Sequence, residues 1–332
     1  MIDFLKNDIN EINEIVRLTA DKRKLIPMIV EKDLWVCYIL DYLFNRCQYK
    51  DYFEFKGGTS LSKPYGLIER FSEDIDIVMN SSALGINLQD VINMDSSNQK
   101  TKAAEELNRR AIDFFNKDLI PLLESDLNNE TDKYFRITLN KEDMAIYIEY
   151  PASYEATYIL NRIKLEIGPL AAWTPFEEKP ISCFIAEDYP NLFRDTSFKV
   201  RITKPVRTFW EKAIILHQEA HRDNGKVPRR YSRHYYDIYK MYDTGVRKDA
   251  LNDIPLLDEV REFTKTFYNR NWARFDEAKP GTFKVVPNPS SLKNLKEDYR
   301  SMEIMIYGNV PSFEEIFITM EKLEEKINAI KI

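Results

Sequence analysis

The chain has 332 residues, 44% hydrophobic and 31% charged, with a formal net charge of −6. That length supports two domains of ordinary size, and the composition excludes a disordered or collagen-like chain. Net acidity excludes a general nucleic-acid coat while leaving room for a local basic patch. Three cysteines (Cys37, Cys47, Cys183) without a CxxC spacing exclude a disulfide framework or a Cys-rich zinc site. His217, His221 and His234 form no HExxH-type set. The start, MIDFLKNDINEINEIV, lacks a basic stretch followed by an apolar one, and no apolar run approaches the ~18 residues of a membrane span. The expectation is a cytoplasmic protein with reduced thiols and no membrane partner.

In chain order, the first 48 residues read as helical, with Pro27 at a first turn. Val36, Leu40, Leu43, Phe44 and Cys47 mark a buried face. Residues 52–56 alternate as a short strand ended by Gly57-Gly58, and residues 72–79 predict a second strand. There Ile75, Ile77 and Met79 share one face and Asp74 and Asp76 the other. Residues 80–101, polar and turn-rich, predict an inserted loop or lid. A helix through Leu107, Ala111, Phe114 and Phe115 follows, then strands over 134–139, 144–150 and 158–168, with shorter runs at 182–186 and 197–202. From Pro205 a helix carries the stripe Phe209, Ala213, Leu216, Ala220. A basic loop over 222–233 leads to a helix ending near Tyr242, and further helices are expected over 247–268 and 312–330. The class is α+β, with a mixed α/β domain over residues 1–203 and a mostly helical one over 204–332.

Four elements carry chemistry. Gly57-Gly58-Thr59-Ser60 lets the backbone approach a phosphate, with hydroxyls and N–H groups to bind its oxygens, although a Gly pair alone is usually only a turn. Asp74 and Asp76, two apart on a strand, project from one face and can share a divalent cation. In Arg162-Ile163-Lys164-Leu165-Glu166-Ile167 the isoleucines and Leu165 face one way, so Lys164 and Glu166 face the other. Beside the aspartate strand, Glu166 would complete three acids that need a cation, and Mg²⁺ suits such hard oxygens. Lys212 lies off its helix's apolar stripe and can reach a triphosphate, or it can form a structural ion pair with Asp237 on the next helix. Arg229, Arg230 and Arg233 add a basic patch compatible with an RNA backbone or simply a solvated loop.

These motifs together carry a resemblance. GGTSLSK followed by RFSEDIDI resembles the first motif of the nucleotidyltransferase toxins of the AbiEii/AbiGii family. Glu31-Lys32-Asp33-Leu34-Trp35 resembles that family's N-terminal EKDxW element, and Ile163–Ile167 its third-acid strand, with Glu166 where the wider fold usually has Asp. Trp210-Glu211-Lys212-Ala213 and Arg233-His234-Tyr235-Tyr236-Asp237-Ile238-Tyr239 resemble its two helical motifs, and the stretch from Tyr299 to Ile327 resembles its tail. The resemblance implies a nucleotidyltransferase-fold mixed-sheet core with N-terminal helices and a C-terminal helical domain. It implies transfer of a nucleoside monophosphate from an NTP to an acceptor hydroxyl, with Mg²⁺ (or Mn²⁺) on Asp74 and Asp76. Catalysis would fall to Asp74, Asp76, Glu166, Lys212 and Asp237, and nucleotide binding to Gly57, Gly58, Thr59, Ser60, Lys63 and Lys212. It further implies a growth-inhibiting toxin with a cognate antitoxin, used in abortive infection, and for some members a tRNA acceptor end as substrate. A same-fold enzyme acting on a protein or small molecule, and a non-catalytic binding protein, are the alternatives.

Overall fold

Alternating apolar residues on several short segments need a common sheet to bury them, and seven strands meet that need in a computed structural model. It describes residues 1–72, 74–155, 160–169, 175–268 and 270–331. The chain divides into two compact units: residues 1–65, 72–91 and 102–203 form the first, and residues 66–71, 92–101 and 204–332 the second.

The first unit holds the whole sheet: β1 (Phe53–Lys56), β2 (Asp74–Met79), β3 (Arg136–Asn140), β4 (Ala145–Glu149), β5 (Arg162–Gly168), β6 (Phe176–Ile181) and β7 (Phe198–Thr203). Their spatial order is β3-β4-β5-β2-β1-β7-β6. β2 pairs antiparallel with β1 and parallel with β5, which makes the sheet mixed and puts β2 near its centre. Ile75 and Ile77 are buried on one face of β2, while Asp74 and Asp76 stay half-buried on the other. β6 has no counterpart in the sequence expectations, because Phe176 to Ile181 interleaves Glu177, Glu178 and Lys179 and has no apolar rhythm. The strand expected over 158–168 is β5 from Arg162; residues 158 and 159 lie outside the described residues.

Two expectations change. The run at 182–186 is the start of the helix Phe184–Asp188, not a strand. Asp33 captures the Phe184 N–H at 2.7 Å and Cys183 Sγ that of Ala186 at 3.4 Å, so the free donors of a first turn are satisfied. The segment 80–101, expected as a loop, contains a short 3₁₀ turn (Ser81–Leu84), the helix Leu88–Ile92 and the beginning of the helix Ser97–Phe114.

The helix Pro27–Asp41 is buried from Met28 through Leu40. Trp35 lies edge-on to Phe135 and stacked on Tyr150. Its Glu31, Lys32 and Asp33 are each no more than 2% exposed, and each ties down another segment. Glu31 accepts from the N–H groups of Ser153 and Tyr154, Lys32 Nζ donates to the Leu160 carbonyl at 2.8 Å, and Asp33 pairs with Lys63. Three charged residues in a buried helix are tolerated because each finds a partner.

The second unit is helical. Its principal helices are Pro205–Ala220, Ser232–Tyr242, Gly245–Asn252, Ile254–Phe267, Leu292–Met302 and Phe313–Asn328. Phe209, Ala213, Leu216 and Ala220 are buried, the face their spacing predicts. Phe313–Asn328 begins with a capping box between Ser312 and Glu315.

Candidate active site

In the first unit, register decides which side chains meet. Asp74 lies opposite Lys164 and Asp76 opposite Glu166 across the parallel β2–β5 pair, while Lys56 lies opposite Asp76 from β1. One polar face therefore gathers Lys56, Asp74, Asp76, Lys164 and Glu166.

Gly57 closes this face. Its φ is +78°, and a Cβ built there would fall 1.8 Å from Asp76 Oδ2. Any side chain would collide with the carboxylate, so the Gly motif and the second aspartate are in direct apposition. The next hydroxyls serve differently from the sequence expectation. Thr59 Oγ1 donates to the Asp74 carbonyl at 2.6 Å, and Ser60 Oγ donates to the Gly57 carbonyl at 2.8 Å. Both residues are buried. They brace the glycine turn against β2.

Glu166 is engaged as well. Lys164 Nζ stands 2.5 Å from its Oε1. Burial by itself would lower the Lys164 pKa, but Glu166 and Asp74 outweigh it and hold the ammonium charged. The expected triad of acids is thus a pair of aspartates beside a glutamate with its own counter-ion. Among the described residues, no three His, Cys, Asp or Glu side chains gather as a metal-holding group. Two carboxylates still fit a hard divalent cation, which takes one or two from a protein and the rest of its oxygens from phosphates and water. The missing Cβ at Gly57 is what lets the Asp76 carboxylate lie against the glycine turn.

Lys63 does not join this face. Its Nζ pairs with Asp33, donates to the Ser182 carbonyl at 3.0 Å and sits 4.1 Å from the Phe184 ring centroid. Burial is opposed by Asp33, so its pKa rises and the ammonium is locked in as a charge. Lys63, expected to contact the nucleotide, has these internal partners because it ends the short Gly57–Ser62 helix and Asp33 lies within its reach.

In the second unit, Asp237 is fully enclosed. Arg70 Nε donates to its Oδ1 at 2.7 Å and Arg70 Nη2 to its Oδ2 at 2.8 Å, while Lys212 Nζ lies 2.8 Å from Oδ2. Burial alone would raise the Asp237 pKa; Arg70 and Lys212 overcome it and hold the carboxylate well below the usual range. Burial, with Arg70 adding to it, lowers the pKa of Lys212 in spite of Asp237. Lys212 is therefore a buried, paired cation on its helix, not an exposed flexible one.

The partners are held from the backbone. Phe71 N–H donates to the Met305 carbonyl at 2.7 Å and Tyr307 N–H to the Glu69 carbonyl at 2.9 Å, clasping Arg70 from both sides. The Asp298 carboxylate receives the N–H groups of Arg230 and Ser232 and the Ser232 hydroxyl, which seats the start of the Asp237 helix. Arg230 adopts a left-handed φ of +67° there. Arg229 is exposed, and Arg230 and Arg233 are half-buried. Arg222, in the same basic loop, is committed to Glu219 and lies 4.3 Å from the centroid of Trp272. Neighbouring His234 is buried, and burial together with Lys212 and Arg233 keeps it neutral. His217 has both ring nitrogens occupied, by the Lys284 N–H and the Arg274 carbonyl, so it serves packing.

Residues 38–319 match the family model of the nucleotidyl transferase AbiEii toxin of type IV toxin–antitoxin systems. The chain belongs to this family. It is a nucleotidyltransferase, and membership implies an NTP substrate and an antitoxin partner. Among solved structures it is similar to MenT4, nucleotidyltransferase toxin Rv2826c from Mycobacterium tuberculosis H37Rv. Identity is 14% and the TM-score 0.47, over 94% of this chain and 97% of that one. No curated protein matches. Among the described residues of this AbiEii-family chain, no helix is long and apolar enough to cross a membrane.

The residue that sequence reasoning missed is Arg70. Its only signal was its place at the head of the RFSEDIDI stretch, and nothing local points to a partner 167 residues away.

Proposed function

We propose that this AbiEii-family toxin transfers a nucleoside monophosphate from an NTP to a hydroxyl of RNA, at the tRNA acceptor end, and releases pyrophosphate. Growth arrest of this kind, released from its antitoxin in the cytoplasm, would serve phage defence by abortive infection. The observation that carries the reading is the apposition of Gly57 and Asp76, which joins a close-approach backbone turn to a carboxylate pair.

Asp74 and Asp76 are the residues to hold Mg²⁺ (or Mn²⁺). When bound, such a cation would supply positive charge to offset that developing on the leaving pyrophosphate. Gly57 and Gly58 offer the phosphates a backbone without side chains, and Thr59 and Ser60 keep that turn in shape. Glu166 is assigned to the acceptor hydroxyl, because its half-buried carboxylate lies opposite Asp76 on the same polar face. Lys212 is the positive charge for the triphosphate, oriented by Asp237. Arg229, Arg230 and Arg233 are assigned to the RNA backbone, which predicts binding that weakens steeply with salt.

The test is incubation of the purified full-length chain with each α-labelled NTP, Mg²⁺ and either total RNA or protein extract. Label on RNA supports the reading, and digestion mapping shows whether it sits on tRNA ends. Label confined to protein or small molecules overturns the RNA acceptor. A D74A/D76A chain that still labels RNA and arrests growth overturns the metal assignment.

A further inference from the structure

Asp237 has two carboxylate oxygens, and Arg70 holds both of them in the parallel fork that a guanidinium makes with a carboxylate. Lys212 shares Oδ2. All three groups are buried, Arg70 at 3% and Asp237 at 0% exposure. A carboxylate bound this way is a poor proton acceptor, since protonation would break charge-assisted bonds to two cations at once. Its remaining task is geometric. Held by Lys212 alone, Asp237 would be free to turn about its side-chain torsions, and the ammonium would move with it. The fork removes that freedom, and the clasp formed by Phe71, Met305, Glu69 and Tyr307 holds the Arg70 backbone in turn.

We propose that Arg70 is a positioning residue for the transfer reaction: by gripping both oxygens of Asp237 it fixes the point against which the Lys212 ammonium is held for the triphosphate. This rests on the reading of Lys212 given above. A lysine at position 70 would supply the charge without the fork, so the charge and the geometry are separable.

The experiment compares Lys212→Met, Arg70→Lys and Arg70→Ala in the full chain. Readouts are thermal unfolding, growth arrest at matched soluble protein, and NTP turnover per folded molecule with total RNA. Lys212→Met is expected to abolish both activities; if it keeps them, the reading of Lys212 falls whatever Arg70 does. With Lys212→Met inactive, Arg70→Lys is expected to fold and to lose roughly tenfold or more in kcat. Arg70→Ala is expected to recover turnover with millimolar guanidinium and not with methylammonium. Wild-type kcat per folded molecule in Arg70→Lys, with only a lower unfolding temperature, would make Arg70 a purely structural partner and overturn the proposal. Equal response of Arg70→Ala to the two amines would do the same. If Arg70→Ala fails to fold, Arg70→Lys decides alone.

Discussion

On the face of β2 and β5, Asp74, Asp76, Lys164 and Glu166 are each half-buried, and solvent competes for every one of them. Around Asp237 the carboxylate is fully enclosed, with Arg70 and Lys212 bonded to it. The difference separates two uses of charge. A half-buried carboxylate pair can take up and release a cation with its phosphates, because water pays much of the desolvation cost at either end of the exchange. An enclosed ion pair cannot exchange partners cheaply, so it serves as a fixed reference. Lys63 and Asp33 form a second enclosed pair of this kind in the first unit.

The largest expected effect is at the enclosed cluster. Asp237→Ala leaves two cations buried without their carboxylate and should cost about 3–5 kcal/mol in denaturant unfolding. A loss under about 1 kcal/mol would mean the cluster is wetter than its geometry indicates, and the contrast would collapse. Next comes Gly57→Ala. A left-handed φ and a collision with Asp76 should cost about 1–3 kcal/mol and abolish NTP turnover; an active, stable variant would dissolve the apposition on which the proposed function rests.

A smaller effect is confined to a pH window. Burial pushes the Glu31 carboxyl from its ordinary 4.5 up to about 7, against the pull of the Ser153 and Tyr154 N–H groups. Between those values the folded chain keeps a proton that the unfolded chain has released. Stability therefore falls as pH rises through the window and levels off above it. Glu31→Gln should flatten that slope in unfolding temperatures measured from pH 4 to 8. The smallest stability change is expected from Asp74→Asn or Asp76→Asn, within roughly 0.5 kcal/mol because both side chains keep contact with solvent. Each should nevertheless eliminate nucleotide transfer and weaken Mn²⁺ binding measured by electron paramagnetic resonance. A variant of either aspartate that binds Mn²⁺ as tightly as wild type would remove it from the cation site.

Much of the fold was legible in short-range pattern. Ile75 and Ile77 alternating with Asp74 and Asp76 placed β2 and its two faces, and the Phe209/Ala213/Leu216 stripe placed the inner face of a helix. β6 was not legible, because its charged residues match neither the strand nor the helix period, and only pairing with β7 makes it a strand. The run at 182–186 misled because a short apolar stretch suits either state, and Asp33, some 150 residues earlier, decides it.

The candidate site divides along the same line. The motifs Gly57-Gly58, Asp74-Ile75-Asp76 and Lys164-Leu165-Glu166 determined by themselves which chemistry was available, since residue type and spacing are local properties. Lys164 and Glu166, two apart on one strand, share a face that local pattern already shows. Which distant charges are spent on one another was decided only in three dimensions: Lys63 by Asp33, and Asp237 by Arg70 and Lys212. Ion pairing depends on distance and desolvation, and neither quantity is written in a linear pattern when the partners lie tens to more than a hundred residues apart.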